Sequence, residues 1–128
     1  MGHADRPVSK SEQAVLDRLR RLTARLPDVS VERDGFGHSV LKVGKRSFVI
    51  VGAGDGDKPT LSIKTDPVTQ DLLVRQGTFE RTPFIGQHGW VTAWGKASEL
   101  PWPTIEGLVE DAWRAVAPKR LLERLDEE

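Results

Sequence analysis

Val15, Leu19, Leu22 and Leu26 recur at intervals of four, three and four residues, the spacing that aligns apolar side chains along one face of an α-helix. Ser9 and Glu12 stand ahead of them with the spacing of a capping box, and Leu26-Pro27 marks the end. The opposite face carries Arg18, Arg20, Arg21 and Arg25 against Glu12 and Asp17, which reads as a solvated basic face.

Beyond Ser30 the period shortens to β-type runs separated by glycines. Val31-Glu32-Arg33 predicts an edge strand, and Asp34-Gly35-Phe36-Gly37 a turn leading into His38 to Val43. Gly44 and Lys45 then form the centre of a hairpin. Glycine in the first position suits a type II′ turn, which pairs Val43 with Arg46 and Leu41 with Phe48. That register places Leu41, Phe48 and Ile50 on one face and Val40, Val49 and Val51 on the other. A strand over 47–51 is therefore expected at the centre of a sheet, covered on both sides. Gly52 to Pro59 reads as a loop, followed by a strand with Leu61 and Ile63 facing the core.

Asp66-Pro67 is a helix start, a carboxylate cap ahead of proline, with Val68, Leu72 and Leu73 as its buried set and Gly77 closing it. The run His88 to Trp94 alternates as a strand, with Trp90, Thr92 and Trp94 on one face and Val91 and Ala93 on the other. Thr104 is the expected cap of a helix carrying Ile105, Leu108, Val109, Ala112, Trp113 and Val116. Pro118 redirects the chain into a last helix through Leu121, Leu122 and Leu125. Asp126, Glu127 and Glu128 oppose the dipole at its end and are expected to fray. The order predicts an α+β domain over residues 9–126, an antiparallel sheet of about five strands with helices packed mainly on one face, behind an unpatterned tail over 1–8.

The chain has 128 residues, the size of one domain. Its 19 basic and 19 acidic residues cancel, so no long-range field announces a nucleic-acid partner. The absence of cysteine excludes disulfides, thiolate metal sites and cysteine nucleophiles. No apolar run approaches the roughly 18 residues of a membrane span, and the expectation is a cytoplasmic monomer without membrane contact. His3, His38 and His88 have no paired ligand spacing, no serine sits in a nucleophile elbow, and no cofactor is called for. Gly52-Ala53-Gly54 does not continue into a dinucleotide fingerprint, because Asp57 stands where the third glycine belongs and a strand follows.

Four segments, Leu41-Lys42-Val43-Gly44-Lys45, Leu61-Ser62-Ile63-Lys64 before Asp66-Pro67, Gly86-Gln87-His88-Gly89-Trp90-Val91 and Ala117-Pro118-Lys119-Arg120-Leu121, follow one another in an order that resembles the MmcQ/YjbR-like family of small bacterial proteins. The resemblance runs from about residue 11 to 125. It implies an α+β fold grouped with frataxin-like and secretion-chaperone-like proteins, a role in binding double-stranded DNA through two projecting β wings, and no established reaction. An iron-binding role would need an acidic first helix, and this one is basic. The chain departs from the family pattern in Val40-Leu41, where an aromatic is frequent, and in its longer, more acidic Gly52–Pro59 loop.

Carried onto this chain, the wing is the first hairpin, with Lys42, Lys45 and Arg46 placed to meet phosphates. The other loop carries Asp55 and Asp57 beside Lys58, so two matching basic wings are not present. A basic hairpin tip also guards a strand edge against pairing, and both readings stand. A second candidate is a small-anion site formed by Lys64, His88, Trp90, Lys119 and Arg120, provided these residues converge. Its alternatives are a histidine that satisfies a loop carbonyl, a core tryptophan, and salt bridges from Lys119-Arg120 to Asp111 or Glu123. A protein-interaction module, with an exposed patch around Trp94 or Trp102, is the third expectation.

Overall fold

The computed structural model describes residues 7–127. The elements run α1 (Lys10–Leu22), β1 (Val29–Arg33), β2 (Ser39–Val43), β3 (Arg46–Asp55), β4 (Lys58–Lys64), α2 (Pro67–Gln76), β5 (Glu80–Arg81), β6 (Trp90–Trp94), α3 (Trp102–Val116) and α4 (Lys119–Asp126). The strands form one antiparallel sheet in the order β1-β2-β3-β4-β6-β5. This is the expected α+β architecture with helices flanking the sheet. It has six strands, the extra one being the two-residue β5 in the connector before Thr82-Pro83.

Helix α1 begins at the capping box read from the sequence. The Ser9 hydroxyl accepts from the Glu12 amide at 3.1 Å, and the Ser9 amide donates to the Glu12 carboxylate at 3.2 Å. It stops one turn before Leu26-Pro27, because the Thr23 hydroxyl donates to the Leu19 carbonyl at 2.7 Å and caps the end there. Leu26 is nonetheless buried, and Val8 packs against the core just ahead of the helix. Positions 1–6 of the expected tail, with His3, lie outside the described residues, as does Glu128.

The hairpin register differs from the expectation by one residue. Val43 pairs with Arg46 and Lys42 with Ser47, but Leu41 then pairs with Val49, because a bulge sets Phe48 out of the ladder. A bulge puts two consecutive side chains against one partner, and here it lets Phe48 and Val49 both join the core, fully buried with Leu41. The two faces are therefore Leu41, Val49, Val51, Leu61, Ile63, Val91 and Ala93 toward the helices, and Val40, Ile50, Thr60, Ser62, Thr92 and Trp94 on the other side. Central strand β3 is sealed only on the helix side, since Ile50 stays partly exposed.

The core lies between that first face and Val15, Leu16 and Leu19 of α1 with Ile105, Val109, Ala112, Trp113 and Val116 of α3. On the second face the hydroxyls of Thr82, Thr92 and Ser62 form a chain of 2.8 Å hydrogen bonds. The Gly52–Pro59 segment is mostly strand, because β3 runs on to Asp55 and β4 starts at Lys58 around a tight turn. Helix α3 starts at Trp102, two residues before Thr104, because its first turn follows Pro101 directly and the Ile105 amide donates to the Pro101 carbonyl at 3.0 Å.

Helix α2 corrects one buried set. Leu73 is buried, but Val68 and Leu72 are exposed. The inward position is taken by Gln70, whose amide nitrogen donates to the Gly86 carbonyl at 2.7 Å and the Trp90 carbonyl at 2.9 Å. A hydrophobic count cannot anticipate a glutamine whose partners are backbone carbonyls.

Candidate anion-binding surface

Pairing brings distant cations to one end of the sheet. Gly44, with φ of +60°, turns the β2–β3 hairpin and holds Lys45 at the tip, exposed and with no ion-pair partner among the described residues. Because Val29 pairs with Val43, the residue before β1, Asp28, lies beside that tip. The α1–β1 connection is pinned by the indole nitrogen of Trp113, which donates to the Pro27 carbonyl at 3.1 Å. Across the same end, Arg46 donates from Nη1 to the Val116 carbonyl at 3.4 Å. Val116 ends α3, and Pro118 is the N-cap of α4, whose buried Leu121 and Leu125 leave Lys119 and Arg120 exposed in its first turn.

The hairpin that carries Lys45 and Arg46 therefore meets Val116 at the end of α3, while Arg120 of α4 reaches Asp28 beside the same hairpin, with Lys119 next to it in the chain. The counter-charges are loosely engaged. Arg120 lies 3.8 Å from Asp28, and Lys119 lies 3.9 Å from Glu123, with both cations largely exposed. Such pairs hold little free energy, so an incoming phosphate can displace them.

The other predicted residues are placed elsewhere. Lys42 leaves the wing, because its side chain turns onto the second face of the sheet and pairs with Glu32 at 3.0 Å. In the β3–β4 turn, Asp57 pairs with Lys96 at 2.8 Å. That hydrogen bond and the charge of Lys96 lower the Asp57 pKa and raise that of Lys96.

Lys64 and His88 are neighbours, with Lys64 Nζ donating to the His88 carbonyl at 3.5 Å. His88 is exposed in a 3-10 turn over Gly86–His88, one residue before β6, while Trp90 is buried. Gly89 (φ +92°) passes so close to β4 that a Cβ there would run into the Thr65 carbonyl. Thr65 in turn donates to the Gly89 carbonyl from its amide at 3.0 Å and from its hydroxyl at 2.5 Å. The glycine therefore serves a backbone contact. A cleft of about 130 Å³ opens beside Lys64, lined also by Thr65, Asp66, Thr69, Leu108, Asp111 and Ala115. It sets one ammonium against two carboxylates, and Lys119 and Arg120 are not among its lining residues. The structure therefore divides the expected anion set into Lys64 with His88, and Lys119 with Arg120 beside the hairpin.

Asp66 caps α2 through 2.8 Å bonds from the Thr69 amide and hydroxyl, and those bonds lower its pKa. Trp102 and Trp113 are buried and Trp94 is 49% exposed, so only Trp94 remains of the expected aromatic patch. The Trp102 ring is roofed by the Arg18 guanidinium, 5.0 Å from its centroid. Two features escaped sequence reasoning. Asp28, in a left-handed conformation at φ +58°, faces Arg120 across the fold. His38 Nδ1 donates to the Asp34 carboxylate at 3.0 Å, and its ring sits over Gly52. The Asp34-Gly-Phe-Gly-His38 spacing was the available signal for the second; nothing local signals the first.

These features define a class, a small α+β domain with a six-stranded antiparallel sheet, helices against its core face and a cationic end built from a hairpin and the start of the last helix. A family model described as YjbR matches residues 24–115, and the chain belongs to the YjbR family. Among solved structures it is similar to the crystal structure of Deinococcus radiodurans protein DR2400, assigned to the domain family DUF419, at 20% identity over 92% of each chain with a TM-score of 0.68. No curated protein matches the chain. No helix among the described residues is long and apolar enough to cross a membrane.

Proposed function

We propose that this YjbR-family chain is a non-enzymatic DNA-binding domain that holds duplex phosphates on the surface made by Lys45, Arg46, Lys119 and Arg120. The observation that carries the reading is the Arg46–Val116 hydrogen bond, which ties the hairpin to the C-terminal end of α3, just ahead of Lys119 and Arg120 in the chain. Neutralising about four phosphates releases enough counterions that affinity falls on the order of a hundredfold between 50 and 200 mM salt.

The test is a fluorescence-anisotropy titration of a short labelled duplex at both salt concentrations. Lys45→Glu, Arg46→Glu and Arg120→Glu should each weaken binding and flatten its salt dependence. Equal binding by all three variants overturns the reading. It would turn attention to the exposed apolar side chains Val68 and Leu72 of α2 and Phe84 as a surface for a protein partner.

A further inference from the structure

Asp28 is the carboxylate beside Arg120 on the proposed surface, and it is built in. Its backbone is left-handed, at φ +58°, a region that aspartate tolerates better than most residues but still enters infrequently. Two long-range contacts hold it there, the Trp113–Pro27 hydrogen bond on one side and the Val29–Val43 pairing on the other. The carboxylate oxygen reaches to 3.8 Å from Nη1 of Arg120, and both side chains remain open to solvent.

We infer that Asp28 is a placeholder for phosphate, an internal carboxylate that occupies Arg120 in the free protein and must release it when a nucleic-acid backbone arrives. The inference rests on the DNA reading above and adds a regulating contact to it. A carboxylate and a phosphate present the same kind of acceptor oxygens to a guanidinium, so one can replace the other without moving the arginine. Because exposed ion pairs are weak, the pair lowers affinity without abolishing it. Its bias sets a threshold against weak, scattered anions while permitting an array of phosphates that engages Lys45, Arg46 and Lys119 together.

The experiment compares Asp28→Asn, Arg120→Ala and the double variant with the unchanged chain, using the same labelled duplex. Asparagine keeps the shape and accepts a left-handed backbone, so folding is preserved. Asp28→Asn should bind about threefold more tightly at 50 mM salt, the scale of one exposed ion pair, with a salt slope steeper by about one counterion. The gain should vanish when Arg120 is already alanine. Unchanged affinity in Asp28→Asn overturns the inference. A gain that persists in full without Arg120 also overturns it, because it reports the overall field rather than a shared partner. If the unchanged chain binds no duplex at either salt concentration, the DNA reading fails and this inference with it. If the unchanged chain binds and only the Asp28 comparison is flat, the DNA reading survives alone.

Discussion

Arg46 and Val116 are seventy residues apart in the chain, yet the guanidinium of the first donates to the carbonyl of the second at 3.4 Å. The bond closes the C-terminal end of α3 with a cation, favourable against that end of the helix dipole, and holds the hairpin against it. Arg46→Lys retains the charge but loses the planar, multiply donating group. It should keep most of the DNA affinity while lowering stability by about 0.5 kcal/mol. Arg46→Ala should lose both. Urea unfolding read beside the anisotropy titration separates the two roles.

Lys42 provides the opposite case. It pairs with Glu32 on the second face of the sheet, away from Lys45 and Arg46. Lys42→Ala should leave duplex affinity within about twofold and stability within about 0.5 kcal/mol, the range for an exposed pair. A loss equal to that of Lys45→Glu would return Lys42 to the wing.

Two glycines at positive φ should respond differently to alanine. At Gly44 a Cβ meets open space, so Gly44→Ala costs only the strain of the turn, about 1 kcal/mol. At Gly89 the Cβ runs into the Thr65 carbonyl, and the strand-to-helix contact must open to admit it. Gly89→Ala should be destabilised by roughly 3 kcal/mol or more, since strain and a lost backbone contact add. Thermal melts of the two variants would show the difference directly.

Acid should weaken the start of α2. The Thr69 amide and hydroxyl bond the Asp66 carboxylate and hold its pKa below the ordinary 3.8. A group whose pKa is lowered by folding stabilises the fold above its unfolded pKa, and that contribution disappears as the pH falls through the lowered value. Asp66→Asn should therefore melt with a flatter pH dependence below about pH 4, while above it the unchanged chain is the more stable. Identical acid limbs in the two proteins would show that the cap carries none of the pH dependence.

Local chemistry was enough for much of the architecture. The Ser9/Glu12 capping box, the Gly44-Lys45 turn, the Asp66-Pro67 start and the Trp90–Trp94 alternation were legible because each depends on residues within a few positions. The α+β order followed from them. The Phe48 bulge was not legible, because an ideal hairpin and a bulged one share the same turn. Burial of both Phe48 and Val49 under α1 and α3 decides between them. Gln70 displaced Val68 and Leu72 from the expected interior for a similar reason, since its partners are carbonyls supplied by another segment.

The candidate site divides the same way. Residue types announced the cations Lys42, Lys45, Arg46, Lys64, Lys119 and Arg120, and nothing in their spacing said which would meet. Strand register sent Lys42 to Glu32, a backbone approach at Gly89 set Lys64 beside His88, and the crossing of α3 over the sheet brought its end to Arg46 and Arg120 to Asp28. Charge is a property of a residue and is written in the chain. Proximity between charges is a property of packing, and long-range pairing alone decides whether a cation faces a carboxylate, a carbonyl or open water.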